Sequence, residues 1–204
     1  MRDRKLRVTA LTVLAASITL AGCKGKTSGA VDTTAASTMA PHDTSAMAPA
    51  APAPLTDANI MALHDEVNVA DSTLAAAALP KLTNAGTRSF AKLMMGEHHG
   101  LHVKGLQVEK AQKITPELPA SDPFKAAVGA EQSALSSAAK GAAYDSTYIA
   151  NEVGIHQAVL AWAKANLPQN AALQAYVNGA APVIQRHLDK ALDLQSKLGG
   201  GKMS

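Results

Sequence analysis

The chain has 204 residues, of which 47% are apolar, enough for one ordinary domain with appendages. Its 19 Lys+Arg exceed its 16 Asp+Glu only through the first 22 residues, where Arg2, Arg4, Lys5 and Arg7 stand against Asp3; the balanced remainder gives no electrostatic basis for nucleic-acid binding, and no nucleic-acid partner is expected. A single cysteine, Cys23, excludes internal disulfides and CxxC motifs, and abundant alanine with few β-branched or aromatic residues argues against an all-β fold.

Residues 1–22 read as a lipoprotein signal peptide. Arg2 to Arg7 form a positive n-region, and Val8 to Leu20 form an apolar run of about 13 residues, shorter than the ~20 a spanning helix needs. The run ends Leu20-Ala21-Gly22-Cys23, which resembles the bacterial lipoprotein box, where the thiol takes the lipid and the cysteine becomes the new N-terminus. Cys23 is therefore the expected lipidation site, and its acyl chains would anchor the protein to the membrane stably. Lys24 rather than Asp after the cysteine points to the outer membrane, facing the periplasm, so the expected address is the cell envelope.

From Cys23 to Pro54 the sequence is Ala, Pro, Thr, Ser and Gly with hardly a large aliphatic residue, so 23–54 is expected to be a lipidated, disordered tether with a reach of roughly 30 Å as a coil.

The folded domain is expected over 55–198. Thr56 or Asp57 is a plausible N-cap for a first helix whose stripe is Ile60, Leu63, Val67, Asp71, Leu74 and Ala78, closed by Pro80. A second opens at Asn84, carries Phe90, Met94, Glu97, Leu101, Lys104 and Val108, and closes before Thr115-Pro116. A shorter helix follows Asp122-Pro123, running from Phe124 to about Ala139 before Gly141 breaks it. The fourth carries Tyr144, Tyr148, Glu152, Ile155, Val159 and Trp162 and ends at Asn166-Leu-Pro-Gln-Asn170. The last has the cleanest stripe, Leu173, Val177, Ala180, Ile184, His187, Ala191, Leu194 and Leu198, with Pro182 expected to kink or split it. Residues 199–204 are a glycine stop and a frayed tail. Short turns make two antiparallel hairpins, joined by a connection whose own helix can carry the chain back along the bundle. The expectation is an all-α protein: a ferritin-like four-helix bundle with a short fifth crossover helix.

Four titratable residues sit on the main stripes: Asp71, Glu97, Glu152 and His187. Beside them stand His98 and His102 at i, i+4, and His156 four residues after Glu152. Ionised carboxylates are costly to bury unless paired or metal-bound. Asp71, Glu97, His98, Glu152, His156 and His187 are thus candidate ligands for a transition-metal ion such as Fe, Mn, Zn or Cu. The competing reading is a hydrogen-bonded network that fixes helix register. Counting along the helices spreads these residues over roughly 13 Å, which fits two layers as well as one site. His64 and His99 are expected at the surface or rim.

The run Asp71 to Ala78, Phe90-Ala-Lys-Leu-Met94 leading to Glu97-His98, Gly141-Ala-Ala-Tyr144-Asp145-Ser-Thr-Tyr148 leading to His156, and Pro182 to His187-Leu188 together resemble domain-of-unknown-function family 4142. These are secreted bacterial helical-bundle proteins, often lipoproteins, grouped with ferritin-like folds. The resemblance implies the bundle fold and the envelope address, and no settled activity. It does not imply a di-iron enzyme: Glu97 directly precedes His98 and Glu152 is four before His156, so neither makes the Glu-x-x-His pattern. Ser146, Asp145 and His156 lack a nucleophile-elbow pattern, and no phosphate-binding glycine motif is present, so no catalytic residues are assigned. The leading expectation is a non-enzymatic envelope lipoprotein with a binding or envelope-stress role toward an unidentified envelope partner, or as a homo-oligomer. Periplasmic transition-metal binding inside the bundle is the alternative.

Overall fold

The computed structural model describes residues 54–200; the signal, Cys23 and nearly all of the tether expected from the sequence lie outside the described residues, as do the last four. Five helices follow in order: α1 (Asp57–Ala78), α2 (Ala85–Gln112), α3 (Lys125–Ser137), α4 (Ala142–Ala165) and α5 (Ala171–Gly200). No strand occurs among the described residues. Helices α1 and α2 pair as one hairpin, α4 and α5 as the other, and α2 packs on α5. Helix α3 lies against both α4 and α1. This is the four-helix bundle with one crossover that the helix pattern predicts.

Local chemistry starts the helices where expected. Thr56 Oγ1 accepts from the Asn59 backbone N–H at 3.1 Å while Asn59 Oδ1 accepts from that of Thr56 at 3.1 Å, a capping box. Asn84 Oδ1 accepts from the Thr87 N–H at 3.1 Å and caps α2. Ahead of α3, Asp122 Oδ1 takes the N–H groups of Phe124 and Lys125 at 2.8 and 3.1 Å. Two aspartates then tie the hairpins to each other. Asp145 of α4 accepts from the N–H groups of Thr83 and Asn84 in the α1–α2 turn, each at 3.0 Å. Asp57 of α1 accepts from those of Gln169 and Asn170 in the α4–α5 turn, at 2.6 and 3.0 Å. These ties fix the height of one hairpin against the other. Helix α5 runs unbroken through Pro182. Pro182 and Asn178 are both exposed, so the carbonyl that loses its N–H partner can bond to water instead.

The core is layered. At one end Leu82, Phe90, Met94, Leu135, Tyr148 and Ile149 pack together, with Ala75, Ala78, Ala91 and Ala191 allowing close helix approach. Further along lie Leu63, Val67, Leu101, Ile155, Val159 and Ile184. Met61, Leu173, Tyr176 and Val177 fill the other end. Between the first two layers every main helix changes from apolar to polar. Asp71 falls between Val67 and Ala75, His98 between Met94 and Leu101, His156 between Val153 and Val159, and His187 between Ile184 and Ala191.

Candidate metal centre

Three histidines meet in that polar layer. His98, His156 and His187 are at most 1% exposed, and their ring centroids form a triangle with sides of 5.5, 4.9 and 5.5 Å. One ring nitrogen of each lies within 4.8 Å of the other two. Of the one site or two layers that the sequence leaves open, these three residues form one cluster.

What surrounds each ring decides where its proton sits. Asn68 donates its amide N–H to the His64 carbonyl at 2.8 Å, which leaves Asn68 Oδ1 to accept from His98 Nδ1 at 2.9 Å. His187 Nε2 donates to Glu97 Oε2 at 2.7 Å, and Arg186 donates to that same oxygen at 2.9 Å. His156 Nδ1 donates to the Glu152 backbone carbonyl at 2.8 Å. A neutral imidazole has one donor and one acceptor nitrogen. All three inward nitrogens are therefore lone pairs: His98 Nε2, His187 Nδ1 and His156 Nε2. The first two face each other at 3.1 Å, and the third has no partner. Burial holds all three imidazoles below their ordinary pKa, His156 down to about 4; for His98 the neighbouring His156 and His187 add to the effect, and for His187 the Glu97 carboxylate partly opposes it. Lone pairs turned toward one another repel, and a cation between them turns the repulsion into ligation.

Buried carboxyls flank the rings. Asp71 Oδ2 is 3.5 Å from His98 Nε2, and Glu152 is 1% exposed with neither oxygen hydrogen-bonded. Glu131 of α3 is 4% exposed, and its Oε1 has no partner either. Burial pushes all three carboxyls up, Glu131 to about 7, and their mutual repulsion raises Asp71 and Glu152 further. The buried Tyr148 hydroxyl also has no partner.

Several positions differ from the sequence reading. Glu97 is not on the buried stripe: its side chain is 33% exposed, and it holds His187 from the rim with Arg186. The α2 stripe is Phe90, Met94, His98, Leu101, Gly105 and Glu109, and Lys104 is exposed. One residue is 100° of rotation, so reading Glu97 in place of His98 turned the face outward. His64, expected at the surface or rim, is 4% exposed and packs edge-on against Trp162 and Tyr176. His99 is exposed, as expected, and His102 pairs with Asp65 at 3.2 Å outside the histidine cluster. Asp145 is spent on the α1–α2 turn, which removes it from any Ser146–His156 arrangement. Glu131 was missed, although Phe124, Val128, Glu131 and Leu135 form a stripe at helical spacing; reading α3 as only a connection hid it.

Fold and site define an all-helical bundle with a buried histidine–carboxyl layer. Residues 42–194 match the family described as domain of unknown function (DUF4142), and the chain belongs to that family. No curated protein and no solved structure matches it.

Proposed function

We propose that this protein binds a transition-metal ion in the bundle interior, through His98, His156 and His187 with Asp71 and Glu152 as neighbouring carboxylates. One observation carries the reading: three buried imidazoles, each held by an outer hydrogen bond, turn their lone pairs on one another. Two nitrogens bound tetrahedrally at 2.0–2.1 Å would be about 3.3 Å apart, against 3.1 Å for His98 Nε2 and His187 Nδ1. The Asn68 and Glu97 contacts are of the kind that orient metal-bound imidazoles. A register-fixing network would instead match each inward nitrogen with a donor. An imidazole-rich set suits Zn, Cu or Fe better than Mn. Burial favours the neutral form of these carboxyls, and a dication beside them would favour the ionised form, which balances its charge.

The sequence supports an envelope setting for this domain: a lipid on Cys23 and a tether over 23–54 would hold the bundle near the outer membrane, on the periplasmic side. A binding role there, storing, buffering or sensing the ion, needs no catalytic residues.

The test is a thermal melt of chelator-stripped protein carrying Cys23→Ser, alone and with Zn, Cu, Fe(II) or Mn. An ion at about a hundred times its Kd adds ~2.7 kcal/mol if it binds only the folded state. The expected result is an upward shift with Zn, Cu or Fe(II) that the His156→Ala/His187→Ala double variant lacks. No shift with any ion would return these histidines to core structure.

A further inference from the structure

Beside the histidine triangle is a small enclosed cavity of about 10 Å3, lined by His64, Asn68, Asp71, His98 and His156 among apolar neighbours from α1, α4 and α5. That is room for roughly one water molecule, which needs two to four polar partners to be held in a protein interior. His64 Nε2 is buried without a hydrogen-bond partner and, like the Asp71 carboxyl, lines this cavity; with His156 Nε2 taken up as a ligand, the ion, His64 and Asp71 are the partners such a water has. His64 is 4% exposed, its ring is wedged between those of Trp162 and Tyr176 at 5.5 and 6.2 Å, and its side chain takes no part in the outer bonds that orient the triangle. Val67, Val159 and Ile184 form the apolar part of the wall.

From this juxtaposition we infer that the metal centre is an open one: the ion keeps a coordination position facing the cavity, occupied by a single water that His64 positions. The inference rests on the metal-binding reading and refines it. Structural sites close four protein ligands around the ion, whereas three protein ligands with a water in the fourth place leave a position where another small ligand can exchange. A space this size holds a ligand about as large as the water it replaces. His64 is a positioning residue here; it touches the water and not the ion.

The experiment is electron paramagnetic resonance of the Cu(II)-loaded full chain carrying Cys23→Ser, in ordinary water and in water enriched in oxygen-17. Imidazole nitrogen couplings report the histidines, and oxygen-17 broadening reports an oxygen from water on the ion. The expected result is both signals in this protein, broadening lost in His64→Leu with the nitrogen couplings kept, and broadening retained in His64→Gln, whose amide can still hold the water. Nitrogen couplings without broadening would show a closed site and overturn the inference while leaving the metal reading intact. Broadening that survives His64→Leu unchanged would remove His64 from the site. Absence of imidazole couplings would overturn the metal reading itself.

Discussion

At the scale of single residues the polar layer sets two kinds of group against each other. Burial keeps His64 and His156 neutral, each down to about 4 from 6.5, so the stability they contribute is present above about pH 6.5 and is lost as pH falls toward 4. Glu131 works in the other direction. It ionises near 4.5 in the unfolded chain and near 7 in the fold, so the metal-free bundle loses stability as pH rises through that window. Replacing it by the neutral, near-isosteric Gln removes the loss. Metal-free Glu131→Gln is expected to gain on the parent by up to about 3 kcal/mol between pH 4.5 and pH 7, with little difference below that. Urea melts across this range measure it, and a difference that does not change with pH would mean that Glu131 ionises freely in the fold. A group that lowers stability at neutral pH is the kind retained for binding rather than for folding.

Among the helices, the start of α1 was legible because Thr56, read as a candidate cap, uses a short polar side chain on its own backbone. Asn84, where the second helix was read to open, caps α2, and Asp122, ahead of α3, accepts from the Phe124 and Lys125 N–H groups. Where the backbone departs from ordinary conformations, two substitutions have opposite expected signs. Lys113 ends α2 in the left-handed region at φ 55°, where a side chain costs about 1 kcal/mol, so Lys113→Gly is expected to stabilise by roughly that much. Gly141 precedes α4 at φ 92°, in open space, so Gly141→Ala is expected to destabilise by about 1 kcal/mol or more through conformation and not through a clash. Differential scanning calorimetry of the pair checks both. Pro182 shows the limit of an element-level rule: a proline breaks a helix when the freed carbonyl has nowhere to go, and here it faces water.

For the whole molecule, the lipid proposed on Cys23 lies outside the bundle, and the two are expected to be separable. Cys23→Ser is expected to abolish fatty-acid labelling and release the chain from the membrane fraction without altering the melt of the bundle; persistent labelling would mean another residue carries the lipid. The number of helices, the cap of the first, the two hairpins and the crossover were determined by the sequence alone. Those depend on periodicity, on turn residues and on connection length, all of which are local. Which titratable groups meet depended on the tertiary structure. Asp57 and Asp145 set the heights of the hairpins, and a rise of 1.5 Å with 100° of rotation per residue turns a one-residue ambiguity into the difference between His98 inside and Glu97 at the rim. The burial of His64 and the entry of Glu131 from α3 were decided in the same way. A side chain's depth in a bundle comes from how the helices pack, and no stretch of one helix contains that information.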